Sequence, residues 1–351
     1  MLDDIAAWSA GREWAVQSFV ALSGVALLCV LARVHKERSG AAKASTAMTP
    51  DFQRFQRSYL IVYVVIMLAD WLQGTHMYTL YTKYQESNSA VSVGTLFFTG
   101  FFAAGLLGTF TGPLVDRYGR KRACLVYVAL ELTINSLEHL NDMSLLLLGR
   151  VLGGVSTSLL FSAFEAWMVT EHRRRGFPEA WIGVTFGHCA VWNGATAIVA
   201  GFAAQVAADR LGDIGPFQLA MALTALAGVL MLPWEENYGG SGPAGTKKAK
   251  AANGRAAPAS GGALASAREA VGELAGAWRT VWQSKALLLV GLVYSLFEGA
   301  MYVFVFNWVP TLANSLGGFG AMAPVQGLLF SCVSWLKTPS ALSADTAPST
   351  I

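Results

Sequence analysis

Long apolar runs separated by short polar stretches set the pattern of this chain. A helix needs about 20 apolar residues to cross the roughly 30 Å hydrocarbon core of a bilayer. Runs near 15–34, 60–80, 91–111, 123–137, 145–170, 181–208, 217–234 and 286–312 are predicted as membrane-spanning helices. A ninth run, 324–336, is too short to span as it stands. The pattern predicts an all-α, polytopic transmembrane helical bundle.

Composition sharpens this picture. Of the 351 residues 54% are hydrophobic and only 13% charged, where about a quarter of an ordinary soluble chain is charged. The net charge of +3 says less than where the charges stand. Basic residues crowd alternate loops: Arg33 to Arg57, then Arg117 to Arg122, then Arg173 to Arg175, then Lys247 to Lys285. The opposite loops and the N-terminus hold only Arg12, Lys83 and Arg210, so the N-terminus is expected outside and the basic loops in the cytoplasm. The start Met1-Leu2-Asp3-Asp4 lacks the positive charge of a secretory signal, so the first run is expected to be a retained helix. Residues 239–262, rich in Gly, Ala, Ser and Lys, cannot bury a core and read as a cytoplasmic linker. Cys29, Cys124, Cys189 and Cys332 lie inside apolar runs without CxxC spacing and read as small buried hydrophobes, with no cofactor or metal implied. A nucleic-acid partner does not fit this charge pattern. An enzyme is not expected either, because no Ser-His-Asp grouping, metal-ligand spacing or phosphate-cradling loop stands outside the apolar runs.

After the third run comes Gly112-Pro113-Leu114-Val115-Asp116-Arg117-Tyr118-Gly119-Arg120-Lys121-Arg122. Gly119 permits a tight turn, Asp116 can accept hydrogen bonds from a neighbouring helix end, and Arg117, Arg120, Lys121 and Arg122 anchor the loop. The string resembles the GxxxDRxGRRR-type signature between helices 2 and 3 of the major facilitator superfamily. On that resemblance the 60–80 run is the superfamily's helix 1 and the 15–34 run is an extra helix ahead of it. Gly149-Arg150-Val151-Leu152-Gly153-Gly154 resembles the pattern of helix 4, where small residues let helices approach closely.

Further strings are similar to one branch, the eukaryotic molybdate-anion transporters. They are Ala69 to Gly74 with Tyr78 and Tyr81, Phe161 to Trp167, Glu171-His172 with Arg175 to Phe177, Trp234 to Gly239, Phe297 to Tyr302, and Phe306 to Pro310. The resemblance implies molybdate as substrate, in a multi-pass protein of the plasma membrane. It also implies two bundles of six helices with substrate between them. The chain then divides into 1–57 (extra helix and basic loop), 58–234 (a complete first bundle), 235–285 (linker), 286–336 (the start of a second bundle) and 337–351 (a polar tail). The incomplete second bundle predicts that these 351 residues alone do not transport.

Ionisable residues at membrane depth are costly and face a cavity or a partner. Asp70 lies about 12 residues beyond Arg57, roughly 18 Å along a helix, and Glu131 and Glu298 fall at similar depth. Asp70, Gln73 and Tyr81 share one helical face, as do Arg150, Gly154, Thr157 and Glu165. With helices 1 and 4 lining the superfamily's cavity, Asp70, Gln73, Tyr81, Arg150 and Thr157 are the expected substrate-binding residues. Arg150 is the one base within the runs, and its fork of donors suits a tetrahedral oxyanion. A fixed packing salt bridge with Asp70 or Glu131 is the competing reading. Glu298, between Tyr294 and Tyr302 on its face, and Glu131 are candidates for proton coupling, because three acids against one base fit a dianion only if an acid is protonated. Glu165 reads as a structural partner of Arg117 or Arg120. His188 and Asn193 read as interhelical hydrogen-bonding groups, and Trp71, Trp167 and Trp308 as packing or interfacial residues. Transport of another solute, such as sulfate, a sugar, a drug or an organic anion, and a non-transporting sensor or regulatory role stay open on the sequence.

Overall fold

Backbone amides in hydrocarbon must find their partners inside the chain, and a helix satisfies them locally. The computed structural model describes residues 13–22, 24–25, 48–239, 272, 276 and 278–332. Among these residues the apolar runs are helical and no strand occurs. The helices are α1 (Pro50–Ser87), α2 (Val93–Tyr118), α3 (Arg120–Leu137), α4 (Met143–Arg174), α5 (Ala180–Leu211), α6 (Gly215–Leu230), α7 (Lys285–Leu316) and the short α8 (Phe319–Met322). Residues 13–22, at the start of the first run, and 326–332 of the ninth are also helical. Most of the 239–262 stretch lies outside the described residues, as do the tail and most of the remainder of the first run, Cys29 included.

The helices overrun the apolar runs where polar chemistry supports them. α1 starts well before residue 60, with Thr49 Oγ1 accepting from Phe52 N at 3.3 Å, Pro50 at the first position and Asp51 in the first turn. Its 38 residues rise about 57 Å. Five helices, α1, α2, α4, α5 and α7, are long and apolar enough to cross a membrane. α3 is not among them because its 18 residues include Arg120, Lys121, Arg122 and Glu131. α6 is not because its 16 residues rise only about 24 Å before the chain turns at 231–233.

The chain forms two compact units that interleave along the sequence. The first contains residues 1–83, 176–230 and 312–351. Its core packs Ala69 and Leu72 of α1 against Ala200 and Ala204 of α5 and Ala220 of α6. The 326–332 segment seats against α5, where Gly327 N donates to Gln205 Oε1 at 2.9 Å and Ser331 Oγ to the Ile198 carbonyl at 2.7 Å. Ala15 joins Val325 and Leu328 in a smaller apolar cluster.

The second unit contains residues 84–175 and 231–311. Here α2 and α4 meet along matched rows four residues apart. Gly100 faces Arg150, Ala104 faces Gly154 and Gly108 faces Ser158. A Cβ on Gly154 would come 2.5 Å from Ala104 N and 2.7 Å from Ala103 C, both backbone atoms that cannot step aside. Close approach of this kind is how membrane helices gain packing energy without a hydrophobic driving force. Cys124, Cys189 and Cys332 are free and buried, as their apolar settings predicted. Gly154→Val should therefore force α2 and α4 apart at a cost of about 1–3 kcal/mol. Thermal unfolding in detergent checks this, and an unchanged midpoint would contradict the packing.

Candidate functional site

The one-residue turn between α2 and α3 is built on Gly119. Its φ of 111° lies in the region that only glycine enters readily. A Cβ there would also meet the Glu236 carboxyl carbon at 2.6 Å. Glu236 occupies that space because it caps α3, accepting from Lys121 N at 2.8 Å and Arg122 N at 3.1 Å. The sequence pointed to Asp116 for a helix end. The structure gives that task to Glu236, while Asp116 accepts from the Arg120 guanidinium at 2.7 and 3.0 Å.

Residues 231–239 lie as a strap along this turn and the end of α4. Arg120 N donates to the Asn237 carbonyl and Gly239 N to the Asp116 carbonyl, both at 3.0 Å. Lys121 Nζ reaches the Leu232 carbonyl at 2.7 Å. Trp167 stacks on Trp234 with ring centroids 3.8 Å apart and donates from Nε1 to the Glu235 carbonyl at 2.8 Å. Asn237 Nδ2 returns a bond to the Trp167 carbonyl at 3.1 Å. Glu171, fully buried, holds Arg174 and Arg175 at 2.9 and 2.8 Å, and Arg174 also pairs with Glu235. Three separate sequence strings are thus one contact network, and the first residues of the expected linker belong to it. Arg117 lies 5.9 Å from the Tyr118 ring centre, and Gly112 has open space around it. Glu165 does not join this network: it is exposed, makes no ion pair among the described residues and lies within electrostatic reach of Tyr294.

Deeper in the second unit, the Arg150 guanidinium donates from Nη2 to Glu138 Oε1 at 2.6 Å, with the two side chains 12% and 1% exposed. The sequence offered Asp70 or Glu131 as its partner, and the observed carboxylate is Glu138 at the end of α3. Its main-chain carbonyl accepts from the Tyr84 hydroxyl at 2.7 Å. Glu131 instead accepts from Ser156 Oγ at 2.5 Å and Asn135 Nδ2 at 3.4 Å. Glu131, Asn135 and Glu138 recur at i, i+4 and i+7, a stripe that the sequence shows but that was missed because Glu138 stands just past an apolar run. Along α4 the predicted face is buried at Gly154 and exposed at Thr157 and Glu165. Glu298 of α7 is half-buried beside Tyr294, and Tyr302 packs on Phe101 of α2 at 4.3 Å.

In the first unit, Asp70 is half-buried, while Gln73 and Tyr81 are buried. Trp71 Nε1 donates to Asn193 Oδ1 at 2.8 Å, joining α1 to α5. His188 is exposed. Buried Gln326, which the sequence did not flag, accepts from Thr79 Oγ1 at 2.7 Å and donates to the Thr75 carbonyl. Asp70, Gln73 and Tyr81 therefore sit in one unit, and Arg150, Thr157, Glu131, Glu298 and the 112–122 turn in the other.

Hydrogen bonding from Arg174 holds the Glu235 carboxyl below the usual carboxylate range. A depressed folded value means that the Arg174–Glu235 contact contributes above the ordinary carboxylate pKa of about 4.3 and is lost as pH falls through the folded value. Glu235→Gln should lower thermal stability at neutral pH, with the gap to wild type closing below about pH 4. A gap of constant size across that range would contradict the assignment.

Over residues 18–333 the chain matches the family described as sugar transporters with 12 transmembrane segments. It is 34% identical to a molybdate-anion transporter of Xenopus laevis over 77% of this chain and 55% of that protein. It is also 34% identical to one of Danio rerio over 90% of this chain and 64% of that protein, and 32% identical to one of Takifugu rubripes over 90% and 65%. The matches thus span about 55–65% of these relatives' length. With its apolar helices and its match along most of its length, the chain is a multi-pass membrane protein that belongs to the major facilitator superfamily.

Proposed function

We propose that the chain is the larger part of a transporter for molybdate, carrying the oxyanion across the plasma membrane. The observation that carries this reading is the 32–34% identity to molybdate-anion transporters along up to 90% of the chain. Arg150 supplies the positive charge for the anion, with Thr157 on the same helix, and Asp70, Gln73 and Tyr81 of α1 are further candidate polar groups for the solute. The Glu138 contact orients the guanidinium, and a bidentate fork matches two oxygens of a tetrahedral oxyanion. Glu131 and Glu298 are the proposed carriers of a coupled proton, because a protonated acid lowers the repulsion of an entering dianion. On this reading the protein is not an enzyme. The family's description as sugar transporters favours a second reading, a neutral polyol or sugar as solute.

The two readings separate in liposomes holding the protein extended through its second bundle with the corresponding helices of a molybdate-anion relative. Labelled molybdate should enter, faster with an inward proton gradient, and tungstate and sulfate should compete while glucose should not. Arg150→Lys should lower uptake at least ~10-fold although the charge is kept, since an ammonium cannot reproduce the fork. Competition by glucose would favour the second reading, and normal kinetics in the lysine variant would remove Arg150 from the anion site.

A further inference from the structure

The start of α1 carries a groove lined by none of the residues proposed for the anion. It encloses about 290 Å³ and is lined by Arg54, Arg57, Ser58, Ile61 and Val62 of α1 and by Leu230, the last residue of α6. Arg54, Arg57, Ser58 and Ile61 stand at i, i+3, i+4 and i+7 and so share one helical face. The opposite face is committed to the protein interior through Phe52, Phe55 and Tyr59.

The groove is polar at one end and apolar at the other. Two guanidinium groups and a hydroxyl lie in the first turns of α1, and Ile61 follows about 10 Å beyond Arg54 and about 5 Å beyond Ser58 along the axis. Ile61 is 46% exposed, and Val62 forms a buried floor. Leu230 closes the far wall where α6 stops, after a rise too short to cross the hydrocarbon core. Charge at the polar end is available for a ligand. Arg57 makes no ion pair among the described residues. Among the described residues Arg54 has Asp51 as its one carboxylate contact, at 3.9 Å with both side chains more than 80% exposed, a contact too long and too wet to neutralise it.

We propose that this groove binds the headgroup of an anionic phospholipid, its phosphate on Arg54, Arg57 and Ser58 and its first acyl carbons along Ile61, Val62 and Leu230. Charge complementarity selects an anionic lipid over a zwitterionic one, because guanidinium forks match phosphate oxygens and each basic residue near an anionic surface adds attraction. The apolar wall selects a lipid over free phosphate, which would leave Ile61 and Leu230 facing polar solvent. The bound chain covers the place where α6 ends short, and so completes the hydrophobic surface of the first unit there.

Lipid retained by the purified full chain after transfer from nanodiscs of phosphatidylcholine and phosphatidylglycerol tests this, read by mass spectrometry of the intact complex. Wild type should retain phosphatidylglycerol selectively. The double variant Arg54→Gln/Arg57→Gln should retain on the order of 10-fold less, Ile61→Ser should also lose retention, and Arg279→Gln, an exposed base that does not line the groove, should retain as much as wild type. Unchanged helix content and thermal midpoint in the double variant would show that loss is not misfolding. Equal retention by wild type and the double variant would overturn the proposal. Displacement of the lipid by millimolar glycerol phosphate, with Ile61→Ser unaffected, would overturn the lipid assignment in favour of a simple anion site.

Discussion

A charge carried into an apolar bundle must be answered by another charge, because an uncompensated buried ion costs several kcal/mol. Arg150 and Glu138 meet that demand in the second unit, and neighbouring features follow from it. Gly100 of α2 leaves room for the aliphatic stem of Arg150, with the nearest side-chain carbon 3.6 Å from where a Cβ would stand. Four and eight residues further on, Ala104 and Gly108 continue the same row against Gly154 and Ser158. Glu138 sits where α3 ends, a place where carbonyl dipoles disfavour a carboxylate, and the guanidinium offsets that penalty. The pair therefore joins α3 to α4 at the point where α4 carries the charge that the proposed anion site needs.

At the basic end of the same unit the solution is different, because water is at hand and several partners share the work. Glu236 neutralises the exposed amides of α3, and Asn237 and Gly239 exchange main-chain bonds with Arg120 and Asp116. The stacked Trp167 and Trp234 supply the apolar contact that keeps the strap in register. A chain that reverses between two helices with only Gly119 between them leaves helix ends unsatisfied, and the strap satisfies them from far along the sequence.

The helices were legible because unbroken apolar length is a signal that requires no partner. Their ends were less so: the start of α1 depends on Thr49 and Pro50, which extend it into polar sequence. The conformational need for Gly119 was readable from its place between two helical patterns, and the structure adds the Glu236 contact to it. The capping role went to Glu236 rather than Asp116 because it rests on a contact across 115 residues, which no local spacing encodes. Glu138 was within reach of the sequence through its spacing from Glu131 and Asn135, whereas the buried pairing of Gln326 with Thr79 arises only once distant segments are packed. Asn193 shows the opposite case: read as an interhelical hydrogen-bonding group, it accepts from Trp71, which the sequence had given only a packing or interfacial role.

The role of the Arg150–Glu138 pair is tested most directly by a double-mutant cycle on unfolding in detergent. Arg150→Gln and Glu138→Gln should each destabilise the protein by about 3–5 kcal/mol by leaving the other charge buried and unanswered. The double variant should recover much of that loss, giving a coupling well outside the scatter of independent sites. Losses that simply add, with no recovery in the double variant, would show that the two charges do not depend on one another and would contradict the account.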